Sequence, residues 1–435
     1  MKLAVVVQRY GADMNGGAEL HARYVAEHLA RHAEVRVLTT CARDYVTWRN
    51  ALAPGIEEVN GIPVERFPVT RERDLRDFGP RSTHVFTERH SLSEELRWLE
   101  SEGPTSPALV SRLRRAQRDV DFVLLFSARY YQAYHGARAT ATRAVLVPTA
   151  EREPALGLGM FGPVFRGVRG IMYNSHEEQA LIQAVSGNQH VPGVVVGVGS
   201  EIPPRVEPER ARRTFDLREP FVVYVGRIDA NKGCAELFDY FARYLQQSGR
   251  CLTLVLIGTP VLEIPSHPRI RHLGYLSDRD KFDTIAASAA LIMPSYYESL
   301  SMVALEAWAL GRPVIANARC DVLLGQCRRS HAGLYYDNAL EFAGAIDAVL
   351  DEPGLAAALG RQGREYFTRH YAWPVIERKY LDMFGRLAAE PAVSRMEPLP
   401  GWLARRRKNL PPAAEVLGRL PAGPADSQAS TGAES

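Results

Sequence analysis

The chain has 435 residues, 46% hydrophobic and 24% charged, with a formal net charge of +3. That length exceeds one ordinary core and predicts two domains of roughly 180 to 200 residues, while the near-neutral balance excludes the global basic footprint of a nucleic-acid binder. Five scattered cysteines with no C-x-x-C pair exclude a disulfide frame and a zinc site, and no apolar run approaches the length that spans a bilayer. The opening M-K-L-A-V-V-V is interrupted by Gln8 and Arg9, too early for a signal-peptide core, so a buried first strand and a cytoplasmic protein are expected.

Residues 3–7 form a continuous β-branched apolar run, as in a central parallel strand covered on both faces. The loop after it, R-Y-G-A-D-M-N-G-G-A-E, opens a helix over about residues 18–30. Gly16 and Gly17 at this strand-to-helix turn let a backbone approach a ligand, and the helix N-terminus favours negative charge. It is not a Walker loop, since Gly17 stands where the lysine belongs, nor a G-x-G-x-x-G fingerprint. A tight turn without a ligand remains open for this segment alone. Residues 35–39 read as the second strand, 61–67 as part of a third element, and 70–117 as helical, with Arg112, Arg114, Arg115 and Arg118 on a solvated face. Residues 122–126 and 144–147 are two more buried strands. The second is followed by P-T-A-E-R-E-P, which clusters Glu151, Arg152 and Glu153 at a strand's carboxyl end, where open α/β sheets bind ligands. A short strand at 170–174 leads into a Ser175-capped helix with Glu177 and Glu178 in its first turn.

Around Gly193 the chain turns Gly/Pro-rich, which marks a domain boundary at 195–196. A second α/β unit starts with the strand at 221–225. Its exit loop G-R-I-D-A-N-K-G sets Arg227 and Lys232 between glycines, ahead of a helix from about Cys234. Two cations there suit a pyrophosphate, with Arg chelating two oxygens and Lys acting as a point charge. Taken singly, the loop is equally a charged surface turn. Strands at 252–257, 269–273, 291–293 and 314–316 alternate with helices as in a second doubly wound sheet. Between the last two lies M-P-S-Y-Y-E-S-L-S-M-V-A-L-E-A-W-A-L-G-R-P. Ser299 or Ser301 caps its alanine-rich helix, and Gly311 and Pro313 end it. Glu298 stands in the entry turn, and Glu306 sits roughly 7 Å further along the axis, at about 1.5 Å per residue. Among apolar neighbours Glu306 requires a partner, because an unpaired buried carboxylate is strongly disfavoured. A final amphipathic helix is expected over 367–387. From 388 the chain becomes basic (Arg405, Arg406, Arg407, Lys408 after Trp402 and Leu403) and then low-complexity. This tail is expected to be disordered, with weak contact to an anionic membrane surface as its one interaction.

In this order, three motifs resemble the GT-B fold glycosyltransferases of the large retaining family four, the group one transferases. They are Gly16-Gly17-Ala18-Glu19, Gly226-Arg227 to Lys232-Gly233, and Glu298 to Glu306 as E-x7-E followed by Gly311-Arg312-Pro313-Val314. The resemblance spans most of the first 390 residues. It implies two doubly wound Rossmann-like domains facing across a cleft: an acceptor domain at 1–195, completed by a crossing helix at 367–387, and a nucleotide-sugar domain at 196–366. It implies transfer of a hexose-type sugar from a UDP-, GDP- or ADP-sugar to a hydroxyl of a glycan, lipid-linked or small-molecule acceptor, in cell-surface glycan or glycolipid synthesis. No cofactor and no metal are implied, and the protein would act in the cytoplasm or at the membrane's inner face.

By the same resemblance, Arg227 and Lys232 would neutralise the pyrophosphate and Glu306 would hold the ribose hydroxyls. Glu298 would contact the sugar or its phosphate end, assisted by the backbone of Ser299, Leu300 and Ser301, while Gly16 and Gly17 approach from the opposite domain. Many relatives carry a histidine where Glu151 stands, so either Glu151 replaces it or the donor's phosphate activates the acceptor. The alternatives are a non-transferring GT-B enzyme such as a nucleotide-sugar epimerase, and a non-catalytic sugar-binding scaffold subunit. A dinucleotide oxidoreductase lacks the glycine fingerprint, and nothing marks the lysine of a pyridoxal-phosphate phosphorylase.

Overall fold

The computed structural model describes residues 1–14, 16–400 and 413–417. The expected basic run at 405–408 and the low-complexity end lie outside them, apart from a short helix at Ala413–Leu417.

Two sheets carry the architecture. The first has eight strands in the order β3-β4-β2-β1-β5-β6-β7-β8. These are β1 Lys2–Val6, β2 Glu34–Thr40, β3 Gly55–Val59, β4 Ile62–Phe67, β5 Phe122–Phe126, β6 Ala144–Val147, β7 Gly170–Tyr173 and β8 Gly193–Val195. All pairs are parallel except β3 with β4. The β5, β6 and β7 strands are buried at every position, which is why they read as unbroken apolar runs and not as alternating ones. Helices α1 Gly17–Leu29, α2 Leu75–Thr87, α3 Leu92–Glu102, α4 Pro107–Ala116, α5 Tyr131–Ala139, α6 Phe161–Gly167 and α7 His176–Ser186 connect them. Thus the stretch expected to be helical over 70–117 resolves into three helices. Its Arg112 does not simply face solvent; Nε donates to Glu65 at 2.9 Å.

The second sheet has six strands, all paired in parallel, in the order β11-β10-β9-β12-β13-β14. They are β9 Phe221–Val225, β10 Thr253–Ile257, β11 Ile270–His272, β12 Leu291–Met293, β13 Val314–Asn317 and β14 Gly333–Tyr336. Around them run α8 Pro208–Thr214, α9 Cys234–Ser248, α10 Asp278–Ala287, α11 Met302–Ala309, α12 Asp321–Ser330 and α13 Ala339–Asp351. The first sheet's last strand ends at Val195 and the second sheet's first begins at Phe221, so a boundary at 195–196 falls in the connection.

The single helix expected over 367–387 is two helices, α14 Pro353–His370 and α15 Trp373–Ala389. They break at Tyr371 and Ala372, and Pro374 sits in the first turn of α15, where its missing N–H is not required by the ladder. The α15 helix follows the second sheet in sequence but packs on the first. Phe384 stacks on Phe122 at 5.0 Å between ring centroids. Gly170 leaves room for Leu387 and Met383, whose methyls would lie 2.9 and 3.0 Å from an added Cβ. At its start Trp373 stacks on His28 at 3.6 Å, while the two ring nitrogens of His28 lie 2.6 Å from Glu377 and 2.5 Å from Glu201. The crossing element is therefore fastened to α1 by both ring stacking and hydrogen bonding. Among the described residues, no helix is long and apolar enough to cross a membrane.

Candidate active site at the carboxyl ends of the strands

The exit of β9 is organised by Asp229, a buried acid. Its carboxylate accepts the Lys232 backbone N–H at 2.8 Å and also the Arg227 Nε–H, while Tyr224 OH donates to the Arg227 carbonyl at 2.7 Å. The loop thus projects both cations from a fixed frame. Lys232 Nζ donates to Glu298 Oε1 at 2.8 Å and to the Tyr297 carbonyl at 3.4 Å. Gly233 permits the close approach of this loop to β12. It has φ +71°, and an added Cβ would lie 2.0 Å from the Pro294 carbonyl oxygen. Gly233→Ala is therefore expected to destabilise the fold by more than about 1 kcal/mol, read as a lowered denaturation midpoint. An unchanged midpoint would show that the loop relaxes freely.

At the exit of β12, Ser301 is the residue that caps α11; its Oγ accepts the Ala304 N–H. Ser299 has another role, its Oγ accepting a bond from Asn174 Nδ2 of the first half at 3.4 Å. The Leu300 side chain is core, so only its backbone is available to a ligand. Glu306 is 3% exposed. Lys281 Nζ donates to its Oε1 at 3.1 Å, whereas its Oε2 has no hydrogen-bond partner among the described residues. Burial pushes the Glu306 carboxyl above the usual carboxylate range and Lys281 pulls it back.

The first half supplies the facing wall. Gly16 precedes α1, whose N-terminus has no side-chain cap. An added Cβ at Gly16 would strike the Glu19 carboxylate at 2.2 Å, while Gly17 faces open space. Glu19 is held by Arg9, 2.7 Å away, and by Gln8 Nε2, which donates to it at 3.2 Å. Arg9 and Arg227 lie on the Tyr45 ring from the two halves, 5.6 and 5.7 Å from its centroid, and Arg227 Nη1 donates to Tyr45 OH at 3.0 Å. Glu151, after β6, joins the group. Burial raises its carboxyl above the ordinary range, Lys232 pulls it down, Glu298 raises it further, and Arg129 and Arg227 pull it down.

Arg227, Lys232, Glu298 and Glu151 are thus brought into one electrostatic group, and Glu306 stands apart with Lys281. Sequence reasoning missed Asp229, Asn174, Tyr45 and Lys281. It also missed a partly buried tetrad near Glu151, built around the buried Glu102. Glu102 takes Arg73 at 2.7 Å and Arg129 at 2.8 Å, and Arg129 also pairs with Glu153, whose carboxyl burial pushes up to about 7. Only Asp229 and Glu153 lay within motifs already singled out. The others come from distant segments and carry no local signal. Two further bonds join the halves: Arg152 to Asp321 at 2.7 Å and Arg329 to Glu177 at 2.9 Å.

Residues 206–366 match the family model described as glycosyl transferases group 1. A D-inositol 3-phosphate glycosyltransferase of Salinispora tropica is 31% identical over 201 residues, which cover 41% of this chain and 41% of that one. The chain matches about half of the length of such curated relatives, from 40% to 57% in the first three. Among solved structures, the Anabaena protein HepE in complex with UDP and glucose aligns with a TM-score of 0.64 at 19% identity, covering 89% of this chain and 100% of that one. Sucrose-phosphate synthase of Thermosynechococcus elongatus aligns with a TM-score of 0.61 at 18% identity, covering 89% and 99%. At these identities the alignments establish the fold, which is GT-B.

Proposed function

From a glycosyl transferases group 1 domain at 206–366 set in a GT-B fold, we propose that this protein is a retaining glycosyltransferase that moves a hexose-type sugar from a nucleotide-diphosphate sugar to a hydroxyl acceptor. One observation carries the reading. Two cations from the β9 exit and two carboxylates, one from each half of the chain, converge at the carboxyl ends of parallel strands, where this sheet type binds ligands. Solved structures of the same fold that hold UDP and UDP-glucose support a nucleotide-sugar donor.

In this mechanism Arg227 and Lys232 bind the diphosphate and stabilise the charge that grows on it as the bond from the anomeric carbon to oxygen breaks. The acceptor hydroxyl forms the new bond to that carbon on the same face. Its proton leaves to Glu151 or to an oxygen of the departing diphosphate. Glu298, released from Lys232 by the incoming phosphates, accepts sugar hydroxyls, and the unpartnered Oε2 of Glu306 accepts from the ribose. Because fixed cations neutralise the leaving group, the transfer is proposed to need no divalent metal. The acceptor is proposed to be a cell-surface glycan or glycolipid intermediate met at the cytoplasmic face of the membrane.

Metal-free calorimetry with UDP, GDP, ADP and CMP tests the reading. Micromolar binding of one diphosphate supports it and identifies the nucleotide; no binding by any of them returns the chain to the scaffold alternative. Glu151→Gln then separates the two proton routes. If Glu151 is the base, the variant is expected to lose about 10²- to 10⁴-fold in turnover. The wild-type rate should fall as pH drops through a value above the ordinary carboxylate range, since only the ionised carboxylate accepts the proton, and the variant should lose that limb. Unchanged turnover assigns the proton to the diphosphate.

A further inference from the structure

Beside the charged group lies a carboxylate that the mechanism does not use. Glu178 is 1% exposed and belongs to the first turn of α7, its own N–H donating to Ser175 Oγ at 3.1 Å. Its two oxygens are spent on two different loops. Oε1 accepts the Ala150 N–H at 2.6 Å and Oε2 accepts the Asn174 N–H at 2.5 Å. Ala150 immediately precedes Glu151, and Asn174 is the residue whose side chain reaches Ser299 on the donor side.

The turn that Glu178 holds is not one the backbone adopts readily. Thr149 has φ +48° and Ser127, at the neighbouring exit of β5, has φ +62°, left-handed values that non-glycine residues seldom take. Their hydroxyls bond to each other at 3.0 Å. Such strain persists only where surrounding groups over-determine it. A buried carboxyl group whose two oxygens each accept a backbone amide supplies that restraint by geometry, tying the turn to the first turn of α7, while burial pushes its own titration up to about 8.

We propose that Glu178 is a positioning residue that sets both the Thr149–Ala150 turn presenting Glu151 and the Asn174 side chain that meets Ser299, so that one side chain registers the acceptor-side loop against the donor-side loop. The inference rests on the transferase reading above and on Glu151 as its acceptor-activating group. Glu178 touches neither substrate, and its effect is transmitted through Glu151. Replacing it by glutamine keeps the volume but turns an NH₂ group toward one of the two amides.

The test is a double-mutant cycle in the full-length chain, with Glu178→Gln, Glu151→Gln and the double variant. The readouts are UDP binding by calorimetry and UDP release from UDP-glucose. Glu178→Gln is expected to slow UDP release about 10- to 100-fold, the range that a misplacement of about 1 Å produces, with UDP affinity changed less than about threefold. The double variant is expected to be no slower than Glu151→Gln, since one group acts through the other. Independent, multiplying effects, or a Glu178→Gln variant as fast as wild type, would overturn the proposal while leaving the transferase reading intact. Wild type that binds none of UDP, GDP, ADP and CMP would remove the transferase reading itself, and if it binds a diphosphate other than UDP the same cycle is read with that nucleotide and its glucose conjugate. Hydrogen exchange in wild type covers the case of a variant that does not fold. The amides of Ala150 and Asn174 should be protected although they lie outside the strands, and rapid exchange at both would equally overturn the assignment.

Discussion

Lys232→Ala is expected to weaken diphosphate binding about 10- to 100-fold, the equivalent of one lost charge-assisted bond, and to slow transfer by about 10²- to 10³-fold. The larger effect on rate follows because the charge that Lys232 meets increases as the glycosidic bond breaks. The substitution also leaves Glu298, 14% exposed at its side chain, without its cation and facing Glu151. Two carboxylates then repel incoming phosphate where a cation had drawn it in. Calorimetry and initial rates decide the matter together. Undiminished binding would mean that the β9 exit loop is a structural turn.

The second large effect concerns stability. Lys281→Ala is expected to destabilise the protein by about 3–5 kcal/mol at neutral pH, because it strands the buried Glu306 without its cation. The penalty should shrink as pH falls. Glu306 is already pushed up by burial, and without Lys281 it protonates more readily still. Glu306→Gln in the Lys281→Ala background should recover much of the loss for the same reason, since a neutral amide is cheaper to bury than a lone charge. Denaturant unfolding at two pH values checks both statements. A Lys281→Ala protein as stable as wild type would show that water already solvates Glu306.

The helix built on these residues was legible in part. A serine cap, left open between Ser299 and Ser301, together with Gly311 and the apolar spacing predicted where α11 begins and ends, and the burial of Glu306 predicted that a partner must exist. Which residue serves was not legible, because Lys281 sits on another helix and meets Glu306 only once the chain has folded. The β3 strand shows a different kind of failure. Four of its five residues are exposed, so no apolar pattern announces it. The signal lay in the turn, where Asn60 and Gly61 take φ +52° and +79°, as a two-residue hairpin requires. The break before α15 was readable from Pro374 but was masked by continuous aromatic spacing on either side. Glu178 looked like an ordinary first-turn acid favoured by the helix dipole. Its two amide acceptor bonds depend on loops 28 residues and 4 residues away, and only the shorter of those separations is local.

The Lys232–Glu298 pair also has a thermodynamic consequence. The cation has a counter-ion at 2.8 Å, so a diphosphate bound there as proposed would enter by exchange, and its affinity would be the difference between two ion pairs. The displaced carboxylate must then be resolvated or given new donors. A bare nucleotide offers it none, whereas a donor still carrying its sugar offers hydroxyls. Substrate should therefore hold on more tightly than the spent nucleotide relative to a site with a free lysine. The resident pair would work as a built-in product expeller, restoring itself each time the sugar departs.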